Sequence, residues 1–267
     1  MGPHHDSTKQ RAGRRRPRPL VVVLVALLAP LSLAWVPAPS IRTAGPVIDL
    51  SRAMAAGPAG HARPSGQGRF LLTSVRDEHD ALWLWATRSL VEPGWHPGAT
   101  AAGPLNTLAQ MQEAEADAWQ VAVGLVSAPV GGSVNALAGN ASGRPMPQVD
   151  TEGITGPSGG LMLALAFTDS LNQGDLTAGR TIAGTGTIDG DGNVGPIGYV
   201  TYKVRGAAAA GATVFFVPWD NAPEAERAAS ASMQVVPVAT FADALGWLCR
   251  NGSADQACVR LRAVQPD

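Results

Sequence analysis

The chain has 267 residues, of which 45% are AVILMFWYC and 15% charged, with a formal net charge of −1. That suits one substantial packed domain with an appendage. It excludes the broad positive footprint by which proteins hold nucleic acid. Residues 1–19 form a basic tail in which Arg11, Arg14, Arg15, Arg16 and Arg18 cluster. Residues 20–36, "LVVVLVALLAPLSLAWV", carry no charge. This run is near the lower limit for a transmembrane helix, about 17–25 residues. Pro30 is tolerable there, Trp35 sits where an interfacial aromatic would, and the arginines favour the cytoplasmic side. The reading is a single-pass anchor with residues 37–267 outside the cytoplasm; a cleaved signal peptide is the alternative.

Residues 37–68, rich in Gly and Pro, read as a linker. "RFLLTSV" (69–75) and "ALWLWAT" (81–87) read as strands around a polar turn, and 91–104 as a loop. Residues 105–126 read as a helix, with Leu105, Leu108, Ala109, Met111, Ala116, Trp119 and Val123 inward and Glu113, Glu115 and Asp117 wet. "AWQVAVGLV" (118–126) could instead be an edge strand. Residues 127–148 lack periodicity and read as a loop with one weak glycosylation sequon at Asn140.

After residue 148 the pattern sharpens. "SGGLMLALAFTDSLNQG" is apolar on nearly every face, which implies a buried helix. "LTAGRTIAGTGTI" is strand-like, "DGDGNVG" a hairpin turn, and "GPIGYVTYKVRGAAAAGA" a helix. "TVFFVPW" (213–219) and "ASMQVVPVAT" are strands, and "FADALGWLCR" a final helix. Alternating helices and strands make this an α+β (α/β-like) domain. Cys249 and Cys258 bracket a short Gly-containing loop. Outside the cytoplasm they read as a disulfide; two reduced, buried thiols are the alternative. Their spacing, with no nearby histidine, is not a zinc pattern.

The chemistry centres on "GPSGG", Gly156 to Gly160. Glycines and a proline permit a tight backbone around Ser158, which opens the buried helix. Helix N-terminal N–H groups can hold an oxyanion, or Ser158 can be a plain N-cap. All five histidines precede Ser158, so the usual base is not downstream of it. The only lysines are Lys9 and Lys203. Lys203 lies in an apolar setting, where burial lowers its pKa and lets a neutral amine take a serine proton. Arginine could not do this; the bland reading of Lys203 is a stem that snorkels to the surface. Thr185 in "AGTGTI" could orient the amine without adding charge, or be an ordinary strand threonine. Two decoys fail. Asp189, Asp191 and Asn193 mimic a calcium loop, but Val194 and Val200 stand where Gly and Glu are needed. "GTGTIDG" misplaces the last glycine of a dinucleotide loop.

From about Val149 to Asn221 these residues resemble the Lon-type serine peptidases with a Ser–Lys dyad. The likeness is closest to the membrane-anchored, PDZ-containing Lon-like proteases of bacteria. "GPSGG" resembles the family's Gly-Pro-Ser-Ala-Gly box, and residues 174–218 resemble the stretch carrying its lysine. The resemblance implies Ser158 as nucleophile, Lys203 as general base and Thr185 as the hydroxyl that positions the lysine. The helix start puts the oxyanion at backbone N–H groups around Ser158 and Gly159, with Gly156 supporting the tight backbone; the resemblance implies a Lon-type proteolytic domain over 149–267. "RFLLTSV" and the helix in 69–126 resemble the segments that precede the PDZ module. Residues 127–148 stand in place of that module. Gly159 departs from the family's alanine. The expectation is a membrane-anchored, extracytoplasmic, ATP-independent serine endopeptidase acting on peptides or unfolded proteins. No metal, cofactor or nucleic acid is expected, and the resemblance suggests a homo-oligomeric ring. The rival expectation is a weak or inactive relative that scaffolds in the envelope.

Overall fold

The structure, a computed structural model, describes residues 41–55, 68–78, 104–127, 145–151, 154, 156–172 and 175–264. Apart from Ile41, these belong to one compact unit within 42–78 and 98–267. The expected anchor at 20–36, the strand at 81–87 and the sequon at Asn140 lie outside the described residues. Among the described residues no helix is long and apolar enough to cross a membrane.

Mixed helices and strands form the fold. Its main sheet has the order β1 (Ile41–Asp49), β2 (Arg69–Glu78), β3 (Thr181–Gly184), β6 (Val214–Pro218), β7 (Gln234–Val238). The last four are parallel neighbours. Side chains alternate across a strand. Phe70, Leu72, Ile182, Val214 and Phe216 therefore join one core, and Leu71, Ala183, Phe215 and Val217 the other. Onto the first face pack α1 (Leu50–Ala55), α2 (Pro104–Ser127), α3 (Gly160–Leu171), α6 (Phe241–Arg250) and α7 (Gln256–Val264). The second takes α4 (Val200–Ala209) and α5 (Ala222–Ala228).

The steps from β2 to β3 and from β3 to β6 each advance one place in the same direction. Yet α2 and α3 bridge the first over one face, and α4 bridges the second over the other. The two crossovers therefore have opposite hands, and one is of the rare left-handed kind. The result is two helices, α3 and α4, that both begin at the carboxyl edge of β3 but on opposite sides of the sheet.

Several sequence expectations need correction. Residues 41–55 are not linker: β1 is an edge strand, and Asp49 accepts hydrogen bonds from the Ser51 and Arg52 amides to start α1. The sheet thus joins strands from both sides of residue 149. Residues 118–126 are helix, not edge strand. The buried stripe of α2 runs Met111, Ala114, Ala118, Val121, Ala122 and Leu125, together with Trp119 and Val123. Leu108, 52% exposed, Ala109 and Ala116 face outward instead. Apolar content alone left the phase of this stripe open. α5 was not anticipated, and α7 follows the helix expected to be last. The α4 helix starts at Val200, since Pro196 and Gly198 keep the preceding turn non-helical.

Other expectations hold. α3 is buried from Gly160 to Asp169. "DGDGNVG" closes a two-stranded antiparallel hairpin, β4 (Thr187–Ile188) and β5 (Val194–Gly195). There the Asp189 carboxylate accepts from the amides of Asp191 and Asn193 and from Asn193 Nδ2, so the calcium-like residues make a turn. A disulfide joins Cys249 in α6 to Cys258 in α7, with their Cα atoms 5.4 Å apart.

Candidate active site

The site forms where α3 and α4 meet over the carboxyl edge of β2 and β3. In parallel sheets this edge is where ligands and reactive groups gather. Ser158 does not cap α3. It sits in a 3-10 turn, Pro157–Gly159, one step before the α-helix, and no side chain caps either start. Gly156 has φ +90°, a left-handed conformation suited to glycine. It leads into Pro157, whose fixed φ starts the turn. The Ser158 carbonyl is held by two donors from the segment after β3: the Gly186 amide at 2.8 Å and Thr185 Oγ1 at 3.0 Å. The Thr185 amide in turn donates to the Phe216 carbonyl at 3.0 Å.

Lys203 arrives from the other face. Its helix is preceded by Tyr199, a non-glycine residue with φ 62°. Such a conformation persists only when surroundings impose it. Here they are long-range. Glu224 of α5 accepts from the Thr201 amide at 3.1 Å and Thr201 Oγ1 at 2.9 Å, supplying a helix cap from another element. Asn221 exchanges two hydrogen bonds with the Ile197 backbone, at 2.9 and 3.0 Å. The Arg42 guanidinium lies 3.8 Å from the centre of the Tyr199 ring, so β1 also bears on this helix start.

The Lys203 side chain does not snorkel. The residue is 3% exposed. Its Nζ lies 2.6 Å from Ser158 Oγ, 3.1 Å from Thr185 Oγ1 and 3.5 Å from the Thr73 carbonyl. Burial penalises the ammonium and brings its pKa down from 10.5 to about 8. A substantial neutral fraction therefore exists in mildly alkaline water. A neutral amine in hydrogen-bond contact with a serine hydroxyl can accept its proton.

The structure thus brings Ser158, Thr185 and Lys203 together, with Gly156 and Gly159 framing the serine. A methyl group at Gly159 would run into Leu72 Cδ1. The space an alanine would fill in the family box is here taken by a β2 leucine. Sequence reasoning missed Thr73, Glu224, Asn221 and Arg42, because each acts across tens to more than a hundred residues of chain. Thr73 alone left a trace: a polar residue between Leu71 and Val75 on one side of the strand.

A serine hydroxyl in contact with a buried lysine of lowered pKa is an arrangement suited to a hydrolase of the serine type. The profile of the Lon protease (S16) C-terminal proteolytic domain matches residues 147–248, a stretch holding Ser158, Thr185 and Lys203. On that match the chain is a serine peptidase, and over residues 147–248 it is similar to the Lon proteolytic domain. A comparison with curated proteins found no match.

Proposed function

We propose that the chain is a membrane-anchored, extracytoplasmic serine endopeptidase that uses Ser158 and Lys203 as a catalytic dyad without ATP. The observation that carries the dyad is the 2.6 Å contact between Lys203 Nζ and Ser158 Oγ in a buried setting. Ser158 Oγ attacks the peptide carbonyl carbon while its proton moves to Lys203 Nζ. The C–N bond then breaks as Lys203 returns that proton to the leaving amine. Water attacks the resulting ester, gives a proton to Lys203 and releases the acid, and Ser158 recovers its proton. Backbone N–H groups at Ser158 and Gly159 hold the oxyanion, favoured by the helix start they precede. Thr185 positions the amine.

The anchor rests on the basic tail and the uncharged run at 20–36. The Cys249–Cys258 disulfide supports an oxidising compartment. Neither lysine of the chain follows a glycine, so these 267 residues hold no phosphate loop of the G-K-S/T type. Residues 127–148 are too few for a PDZ domain, since folded domains rarely fall below about 40 residues. Substrates without an unfoldase are peptides and unfolded segments. The resemblance to Lon-type enzymes supports self-association into a ring, which light scattering of the detergent-solubilised chain tests.

The test of the activity is digestion of casein and labelling by a fluorophosphonate probe. The parent should do both, and folded Ser158→Ala and Lys203→Ala neither. A folded parent that neither cleaves nor labels would leave the scaffold as the better reading.

A further inference from the structure

We infer that Thr73 is a positioning residue for the dyad: its side chain fixes its own carbonyl where that carbonyl sets the direction of the Lys203 lone pair. The inference rests on the Ser158–Lys203 reading above and concerns how the amine is aimed.

A neutral amine has two N–H bonds and one lone pair. Around Lys203 Nζ stand Ser158 Oγ, Thr185 Oγ1 and the Thr73 carbonyl oxygen. Thr185 donates its only hydroxyl proton to the Ser158 carbonyl, at 3.0 Å. Towards Lys203 it can only accept. The Thr73 carbonyl is an acceptor by nature. Both amine protons are therefore drawn to the two threonines, and the lone pair is left facing the Ser158 hydroxyl at 2.6 Å. With Thr185 as its only acceptor, the amine could rotate about Cε–Nζ and turn its second proton on Ser158. The serine would then meet a donor where it needs a base. The Thr73 contact, 3.5 Å, is the longest of the three. Catalytic contacts that are long in a free enzyme tighten as charge develops, and the carbonyl dipole favours the ammonium that forms.

The identity of residue 73 matters although the contact is to backbone. The parallel register of β2 on β3 runs from Arg69 opposite Thr181 to Leu72 opposite Gly184. Thr73 is the next residue, where this pairing ends. Its Oγ1 donates to the Gly184 carbonyl at 3.0 Å and holds β2 to β3 one step further, beside Thr185. Thr73 is 2% exposed. Alternation puts it on the side of Leu71, against the layer of Val200 and Val204 from α4. A valine would fit that layer by shape and supply no donor.

The test uses the full chain in detergent, with kcat, KM and their pH profiles on labelled casein. Thr73→Val is compared with Thr73→Ser. Thr168→Val, which removes a buried hydroxyl bonded to the Ala164 carbonyl within α3, is the control for loss of a hydroxyl as such. Thr73→Val should lower kcat about tenfold or more with KM near that of the parent. Its acid limb should move to lower pH, because an ammonium that loses a carbonyl partner gives up its proton sooner. Thr73→Ser should restore both. Parent-like kcat and acid limb in folded Thr73→Val would overturn the inference. So would a loss that Thr73→Ser does not restore, with the limb unmoved, since that is a packing defect. Should Thr73→Val not fold, Thr73→Cys takes its place, keeping the volume with a weak donor. Retained activity in Ser158→Ala or Lys203→Ala would instead sink the dyad itself.

Discussion

The starts of α3 and α4 stand on opposite faces of one sheet, and they are held in different ways. The turn of Ser158 is governed by neighbours in sequence, Gly156 and Pro157, and by two donors on its carbonyl from the segment after β3. Its helix is buried from Gly160 to Asp169 and packs wherever the core forms. The helix of Lys203 follows a strained Tyr199 and relies on Glu224, Asn221 and Arg42 from other elements. The serine is placed locally and the lysine at long range. Damage to distant residues should therefore reach catalysis through Lys203 far more readily than through Ser158.

The largest effect should come from the dyad. Ser158→Ala and Lys203→Ala should each lower kcat/KM by about 10³-fold or more. Lys203→Arg should be as damaging, because arginine keeps its proton. In the parent, kcat/KM should rise with pH along an acid limb near the lysine's pKa of about 8. A limb near the ordinary lysine value of 10.5, or none at all, would count against the amine as base.

The asymmetry itself is tested next. Glu224→Ala removes the cap on the base's helix and should cost about 10- to 100-fold in kcat. Glu224→Gln keeps an acceptor for Thr201 and should lose much less. Fluorophosphonate labelling rates would follow both; an unchanged Glu224→Ala would show that α4 needs no such anchor.

Stability should separate the two regions as well. Burying Lys203 lowers its pKa, so below about pH 8 the folded protein carries a buried ammonium. The unfolded chain binds more protons than the folded one between about 8 and 10.5, so this group's penalty is full below that window and fades across it. Lys203→Met should thus stabilise the folded state at pH 7 by about 1–3 kcal/mol, less at pH 10. Replacing both Cys249 and Cys258 by serine should cost about 2–3 kcal/mol and leave the acid limb in place, because the bridge joins α6 to α7. Thermal melts at two pH values measure both.

The smallest effect is expected at the nucleophile's own turn. Gly159→Ala restores the family's residue at a φ of −96°, which alanine adopts freely. Only the far end of Leu72 has to move. Stability should shift by less than about 1 kcal/mol in either direction, with kcat close to the parent value. A collapse in activity would mean that the packing of Leu72 is part of the catalytic geometry.

The candidate site was more legible in the sequence than the scaffold around it. Gly156, Pro157 and Ser158 announce a special turn by their own backbone chemistry. Lys203 stands out because this chain, Lys9 apart, otherwise uses arginine. Its partner Thr73 and its anchor Glu224 look like ordinary strand and helix residues until the fold brings them to it. β1 was mistaken for linker because "IRTAGPVID" contains Gly and Pro. At a sheet edge those residues cost little, since one side of the strand lacks a partner. In α2 the excess of alanine blurred which residues face inward, and Leu108 was placed on the wrong side.

The opposite-handed crossovers have a consequence for how the protein comes into being. Ser158 and Lys203 can meet only after β2, β3 and both flanking helix layers have closed around the edge they share. Until then Lys203 is wrapped in water with its ordinary pKa of 10.5, so at any given pH less of it is neutral than in the fold, where burial brings that value to about 8. On the dyad reading, a newly made chain therefore has neither its base beside its nucleophile nor that base readily neutral. On the same reading, cutting begins only as the interior dries, with assembly of the sheet acting as the safety catch.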